Sequence, residues 1–353
     1  MAGRGTFGKL MHGRDEDIVE PELPIIDSHH HLYERQSLRY LADDYLQDAR
    51  AGHRIIGSVY VEAGAFYRPD GPEALKPVGE IEFANAIGAA MEKGAGKVGP
   101  QVCAAIVGFA DMTLGDGIAE TLDASMAAAP DRFRGVRQIA IDHPNPDVLR
   151  NLAHRPPRGL LTSERFQAAM RQLQQRGLSF DATVLHHQLA DLGRIAGDFP
   201  ETTIVLNHAG LATMLGCQPE EKNRIFRDWA KKMKTLARHE NVVCKIGGLG
   251  TTYWAFGLDG GHAAVTSAQI AEIWRPYVES AIDAFGPSRC MMESNYPNDG
   301  RSCGFVPLWN AMKHIVSACS QAEKQALFAG TASAVYRLST WRQESERHEQ
   351  RGQ

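Results

Sequence analysis

The chain has 353 residues, 43% of them hydrophobic and 23% charged, which is enough for a large core in one or two domains. A formal net charge of −4 provides no electrostatic case for nucleic acid or anionic membranes. No apolar run reaches the roughly 18 residues that would span a bilayer.

Residues 1–23, "MAGRGTFGKLMHGRDEDIVEPEL", lack the apolar stretch of a secretory signal and read as an N-terminal arm. The six cysteines, at 103, 217, 244, 290, 303 and 319, show no CxxC spacing. Cys103, Cys244 and Cys290 fall inside apolar runs, where free thiols behave as small hydrophobes. A reduced, cytoplasmic protein is the expectation.

From residue 23 onward, short apolar runs alternate with helix-length amphipathic segments. The runs are "LPIIDSH" (23–29), "RIIGSVYVEA" (54–63), "QVCAAIVGFA" (101–110) and "RGVRQIAI" (134–141). The second half adds "LSFDATVL" (178–185), "TTIVLNH" (202–208), "NVVCKIGG" (241–248) and "SRCMMESN" (288–295). Such near-continuous Val/Ile/Cys/Ala runs suit strands buried on both faces, as parallel strands are. Seven helix candidates lie between them, from "YLADDYLQDARAG" to "SAQIAEIWRPYVESAIDAFG", several closing on Gly or Pro. Eight strand–helix alternations predict an α/β fold, a single (β/α)₈ TIM barrel over residues 24–340. An open doubly wound sheet would prefer a Gly-rich turn after the first strand, and "SHHHLYERQ" is not one. Residues 341–353 form a charged C-terminal tail. The aromatics of "YWAFGLDGGHAAV" and "LWNAMKHIVSA" read as packing or loop residues that form an interface or a lid. Barrels of this size often pair, which leaves a homodimer open, while the sequence itself is silent on assembly.

In a barrel the strand ends and the loops after them form the active face. Period-2 alternation places Asp27, His29 and His31 on one side of the first strand and leaves His30 to packing on the other. His208 ends the sixth run before a Gly, with Leu206 as its same-face neighbour, and His186 follows the fifth. Arg137 sits within the apolar fourth run, where a guanidinium needs a partner: a substrate carboxylate, or a structural pair with Glu62 or Glu293. Lys245 is a second cation in apolar surroundings. Glu293, Asn295, Tyr296 and Asp299 cluster at the last strand end, where "NDG" is also a turn signal. The substrate-binding set is therefore Arg137, Lys245, Glu62, His186, Asn295 and Tyr296.

The stretches "IIDSHHHL", "RFRGVRQ", "HHQLADLGRIAGDFPETTIVLNHAG", "NVVCKIGGLG", "FGPSRCMMESNYPND" and "LFAGTASAVYRL" resemble the amidohydrolase superfamily. More narrowly, they are similar to its amidohydrolase-2 branch, which includes lactonases. The resemblance runs in order from residue 24 to about 338. It implies that the barrel-opening HxH is His29 and His31, the strand-6 histidine His208 and the substrate-binding arginine Arg137. The family's "SDWP" aspartate is replaced here by Ser294-Asn295-Tyr296-Pro297. Asparagine accepts no proton at neutral pH. Asp299 is the first choice to take over the role and Glu293 the second, giving the catalytic set His29, His31, His208 and Asp299. The three histidines suit one divalent metal, zinc first, with an open position. The branch also contains members that use such histidines without metal, and the residues leave the two open.

The leading expectation is a hydrolase that opens a small, carboxylated lactone, with an anionic small molecule as partner. A metal-dependent non-oxidative decarboxylase of an aromatic or muconate-like acid is the alternative. A barrel that binds such an acid without turning it over comes third.

Overall fold

The computed structural model describes residues 16–35, 38–93, 99–150, 152, 155–258 and 265–338. Residues 1–15 of the expected arm 1–23, and the whole of the expected tail 341–353, lie outside the described residues. All eight apolar runs are strands: β1 (Ile25–His30), β2 (Ile55–Val61), β3 (Gln101–Gly108), β4 (Phe133–Ile139), β5 (Ser179–Thr183), β6 (Ile204–Leu206), β7 (Val242–Ile246) and β8 (Cys290–Met292). They form one parallel sheet in chain order. Helices α1 (Ala42–Ala49), α2 (Val78–Lys93), α3 (Ala119–Ala128), α4 (Glu164–Gln175), α5 (Leu189–Asp198), α6 (Pro219–Leu236), α7 (Ser267–Phe285) and α8 (Phe305–Ile315) follow them. The fold is a TIM barrel. A two-stranded ribbon, Tyr33–Arg35 with Leu38–Tyr40, precedes α1.

Local chemistry sets the helix limits. Ser163 Oγ accepts from Phe166 N to start α4 (3.2 Å), and Thr266 with Gln269 makes a capping box for α7. Gly286, at φ 77°, ends α7 in a conformation costly for other residues. Helix α8 adds an eighth helix to the seven expected, and of the packing and loop readings of its aromatics it takes the first. "LWNAMKHIVSA" is neither lid nor exposed loop; Leu308, Trp309, Ala311, Met312 and Ile315 are buried in the core. It also docks the end of the N-terminal arm. Asn310 Oδ1 accepts from Val19 N (2.9 Å), and Lys313 Nζ donates to the carbonyls of Val19 (2.8 Å) and Glu20 (2.9 Å).

Alternation along the strands divides the core in two. Val59, Val61, Ala105, Val107, Val205, Val243 and Met291 form the barrel interior. Their neighbours Tyr60, Ile106, Leu206, Cys244 and Met292 belong to the layer between strands and helices. The interior is completed by Ala329, Ala332 and Tyr336, from the helical segment Ala326–Gly330 and the helix α9 (Thr331–Tyr336). The last residues of the described chain thus plug the inside of the barrel.

The seam between β1 and β8 is irregular. Backbone bonds run from Asn295 N to His29 O (2.9 Å) and from His31 N to Tyr296 O (2.8 Å). Side chains carry the rest. Ser28 Oγ donates to Met292 O (2.8 Å), and fully buried Asp27 accepts from Ser294 N (2.8 Å), Ser294 Oγ (2.6 Å) and Tyr45 OH (3.0 Å). Asp27 therefore does not share a face with His29, as strict alternation predicts. A register shift between Asp27 and His30 breaks the period, as a bulge does. His30 does turn outward: it stacks on Tyr45 (ring centroids 4.2 Å) and its Nε2 meets Ser58 Oγ (2.9 Å).

Asp27→Ala should cost about 3 kcal/mol or more in urea unfolding, because it strands two buried donors of Ser294 and the Tyr45 hydroxyl. A loss under about 1 kcal/mol would show that the seam does not depend on this carboxylate.

Candidate active site

Inward parity from β4, β5, β7 and β8 sends Arg137, Asp181, Lys245 and Glu293 toward the barrel axis, with His29 joining them from β1. Glu293 is the centre. Its Oε1 lies 2.6 Å from His208 Nδ1 and its Oε2 3.1 Å from His29 Nδ1, both carboxylate and His29 being fully buried. His208 reaches this position by a turn rather than by strand parity. Leu206 faces the helices, and His208 and Ala209 have positive φ (54° and 50°), so Leu206 and His208 do not share a face. The two glycines that end the seventh run make room. A Cβ on Gly247 would sit 2.2 Å from Glu293 Cγ, and one on Gly248 2.4 Å from His208 Nδ1.

The hydrogen bonds fix most of the proton positions. His208 Nδ1 faces a carboxylate and must carry the proton, leaving Nε2 a lone pair. His31 Nδ1 donates to Val61 O (2.8 Å), so His31 Nε2 is also a lone pair, and it faces His29 Nε2 at 3.2 Å. A neutral His29 carries one proton for two demands: Glu293 Oε2 on one side and His31 Nε2 on the other. With the proton on Nε2, Nδ1 accepts from Lys245 Nζ (3.4 Å) and Glu293 Oε2 is left without a donor; with the proton on Nδ1, the two Nε2 lone pairs face each other. Doubly protonating His29 would resolve this, but burial first, and then the charges of Lys245 and the neighbouring histidines, hold its pKa well below the usual range. Burial likewise holds His31 well down.

This arrangement fits a cation. The donor atoms of His29, His208 and Glu293 lie within 4.8 Å of one another, and buried Glu293 Oε2 has no hydrogen-bond partner. Two imidazoles and a carboxylate suit zinc. The set departs from the expected His29, His31 and His208: His31 is one step removed, touching His29, and Glu293 stands among the donors.

Lys245 lies beneath the histidines, its Nζ 2.8 Å from Asp181 Oδ2 and 3.4 Å from His29 Nδ1. Arg137 is paired. Its Nε donates to Glu62 Oε1 (2.7 Å) and its Nη2 to both Glu62 Oε1 and the Glu62 carbonyl. Glu62 is thereby placed as the partner of Arg137.

Four expected positions lie elsewhere. Asp299 is not brought to the histidines: it is buried, with Oδ1 taken by Asn295 Nδ2 (2.7 Å) and Oδ2 by Gly250 N (2.9 Å). Asn295, at φ 51°, turns its amide to Asp299. Tyr296 packs edge-on against Phe305 and gives its hydroxyl to Cys303 O (2.7 Å), so it belongs to the outer core. His186 sits in the turn after β5, its ring beside His187 (5.7 Å) and its Nδ1 buried without a hydrogen-bond partner. Asp181 and Tyr336 escaped the sequence reading. The signal for Asp181 was present, since Lys245 in an apolar strand requires a nearby carboxylate.

Residues 26–338 match the amidohydrolase family, and the chain belongs to it. Over 340 residues it is 31% identical to the uncharacterized protein y4mH of Sinorhizobium fredii, covering 90% of this chain and 99% of that one. L-fucono-1,5-lactonase of Burkholderia multivorans is 26% identical over 334 residues, with 89% of this chain and 96% of that one covered. Among solved structures, an amidohydrolase from Burkholderia multivorans with bound zinc shares the fold at a TM-score of 0.65. The identity is 22%, over 89% of this chain and 99% of that one.

Burial, reinforced by the charge of Glu293, raises Asp299 from 3.8 to about 8. The folded protein then holds a proton that the unfolded chain releases near pH 4. Stability from this group is present at low pH and is lost as pH rises toward 8, with a slope approaching 1.4 kcal/mol per unit, roughly. Asp299→Asn should flatten the fall in unfolding free energy between pH 5 and 8. An identical slope in the variant would place the titration elsewhere.

Proposed function

We propose that this amidohydrolase opens a small lactone that carries a carboxylate. The observation that carries the reading is the buried Glu293 carboxylate between His29 and His208. The relative named L-fucono-1,5-lactonase, aligned over nearly its whole length, supports a cyclic ester as the substrate class.

Glu293 holds the Nδ1 proton of His208 and so keeps the Nε2 lone pair in place. That lone pair takes a proton from water as the oxygen attacks the ring carbonyl. The oxyanion develops above Lys245, a fixed positive charge inside a water-poor barrel, where such stabilisation is strongest. As the ring C–O bond breaks, the proton on His208 Nε2 passes to the leaving alkoxide. Arg137, held by Glu62, engages the substrate carboxylate and orients the ring. Zinc held by His29, His208 and Glu293 would take that lone pair of His208 in place of the base, polarise the carbonyl and make the attacking water more acidic.

A panel of carboxylated and neutral lactones, followed by proton release with metal-stripped and zinc-loaded protein, tests the reading. Catalysed acidification is expected, and Glu293→Gln or His208→Asn should lower kcat at least 100-fold, roughly the value of a general base. If no lactone is opened in either state, the proposal fails. Arg137→Gln should raise KM about tenfold for carboxylated lactones and leave neutral ones within about threefold, the difference being one charge-assisted contact. Equal effects on both classes would remove Arg137 from substrate binding.

A further inference from the structure

Directly below His29, three fully buried side chains form a hydrogen-bonded stack, of which the chemistry above uses Lys245 alone. Asp181 Oδ2 accepts from Lys245 Nζ (2.8 Å) and from Tyr336 OH (2.7 Å), while Asp181 Oδ1 accepts from Ser179 Oγ (3.1 Å). The Lys245 ammonium also lies 5.2 Å from the centre of the Tyr336 ring. Tyr336 belongs to α9, the last helix described, yet it enters the barrel interior. Its backbone is tied as well: Arg134 Nε, from the start of β4, donates to Tyr336 O (2.8 Å).

We infer that Tyr336, through Asp181 and Lys245, is a positioning residue for His29, which makes the C-terminal helix a working part of the site at the opposite end of the barrel. The inference rests on His29 belonging to that site. Lys245 Nζ is held between two acceptors, Asp181 Oδ2 at 2.8 Å and His29 Nδ1 at 3.4 Å, so its position sets both contacts. A carboxylate oxygen that also accepts from a tyrosine has its direction fixed, so the ammonium is held at one height. Without the Tyr336 hydroxyl, Asp181 Oδ2 can turn fully to Lys245. The ammonium then follows it away from His29, and the environment of the imidazole changes. A merely space-filling tyrosine would have no such effect, because phenylalanine fills the same volume.

The test reads the His29 ring in zinc-free protein labelled with 15N-histidine, at one fixed pH. Tyr336→Phe should move both ring-nitrogen resonances of His29 by several ppm and leave those of His53 and His239 in place. Zinc affinity, measured separately by calorimetry, should weaken about tenfold, the size of effect usual for groups that orient a metal ligand. Ser179→Ala, which removes the partner of the other Asp181 oxygen, should leave His29 unmoved. Asp181→Asn should shift His29 further in the same direction and carries the test if Tyr336→Phe does not fold. Unmoved His29 resonances together with zinc affinity within twofold of the parent would overturn the inference, even if the melting temperature falls. Failure of every lactone assay would remove the proposed function and leave this result standing, because the ring is observed in the protein alone.

Discussion

A closed barrel has no free edge, and this one depends on how its last edge is closed. Strands β1 and β8 share two backbone hydrogen bonds at their upper ends, and the Asp27 carboxylate supplies what a regular ladder would have given. The same seam brings together the residues adjacent to the clasp. His29 and Glu293 each lie next to a seam residue, on the inward side. Closure and site assembly are therefore one event, and the bulge near Ser28 reconciles them. It lets Asp27 turn outward to the clasp while His29 turns inward to the carboxylate.

The second constraint is charge in a place with little water. Inward-facing Asp181, Glu293 and Glu62 meet two fixed cations, Lys245 and Arg137, and buried charges persist only when paired. Asp181 is matched by Lys245 and Glu62 by Arg137. Glu293 has only histidines, one of which cannot gain a proton easily beside Lys245. The remaining negative charge sits among nitrogen lone pairs, which is the electrostatic description of a seat for a positive ion. Lys245, read from the sequence as a contact for substrate, is fully buried and held between Asp181 and His29.

Much of this was legible in the sequence because parallel barrel strands are apolar on both faces and short. The eight runs stand out, and so do Arg137 and Lys245 as cations set in apolar strands, whereas Asp181 on β5 went unread. Alternation fails where the backbone leaves the extended region. The bulge in β1 misplaced Asp27, and the left-handed turn at His208 removed its supposed pairing with Leu206. Asp299, preferred to Glu293 in the sequence, lies apart from the histidines for a different reason. A carboxylate four residues beyond a missing aspartate is close in sequence, but the chain turns there and spends it on Asn295 and Gly250. Tyr336 could not be found at all from local pattern, since its partner is more than 150 residues earlier in the chain. Helix α8 was missed because its aromatic-rich sequence reads equally well as loop.

The seam and the interior plug also set an order of assembly during synthesis. The histidines of β1 leave the ribosome well before Glu293, with most of the barrel synthesised between them. Tyr336 comes later still. Throughout that interval Asp27 has no Ser294 to hold and the Asp181–Lys245 pair lacks its third member. A nascent barrel is consequently an open sheet with two unprotected edges, and long-range closure of this kind is slow and exposed to misassociation. The last strand and the helix after it, rather than the histidine motif of the first strand, are what commit the polypeptide to a finished pocket.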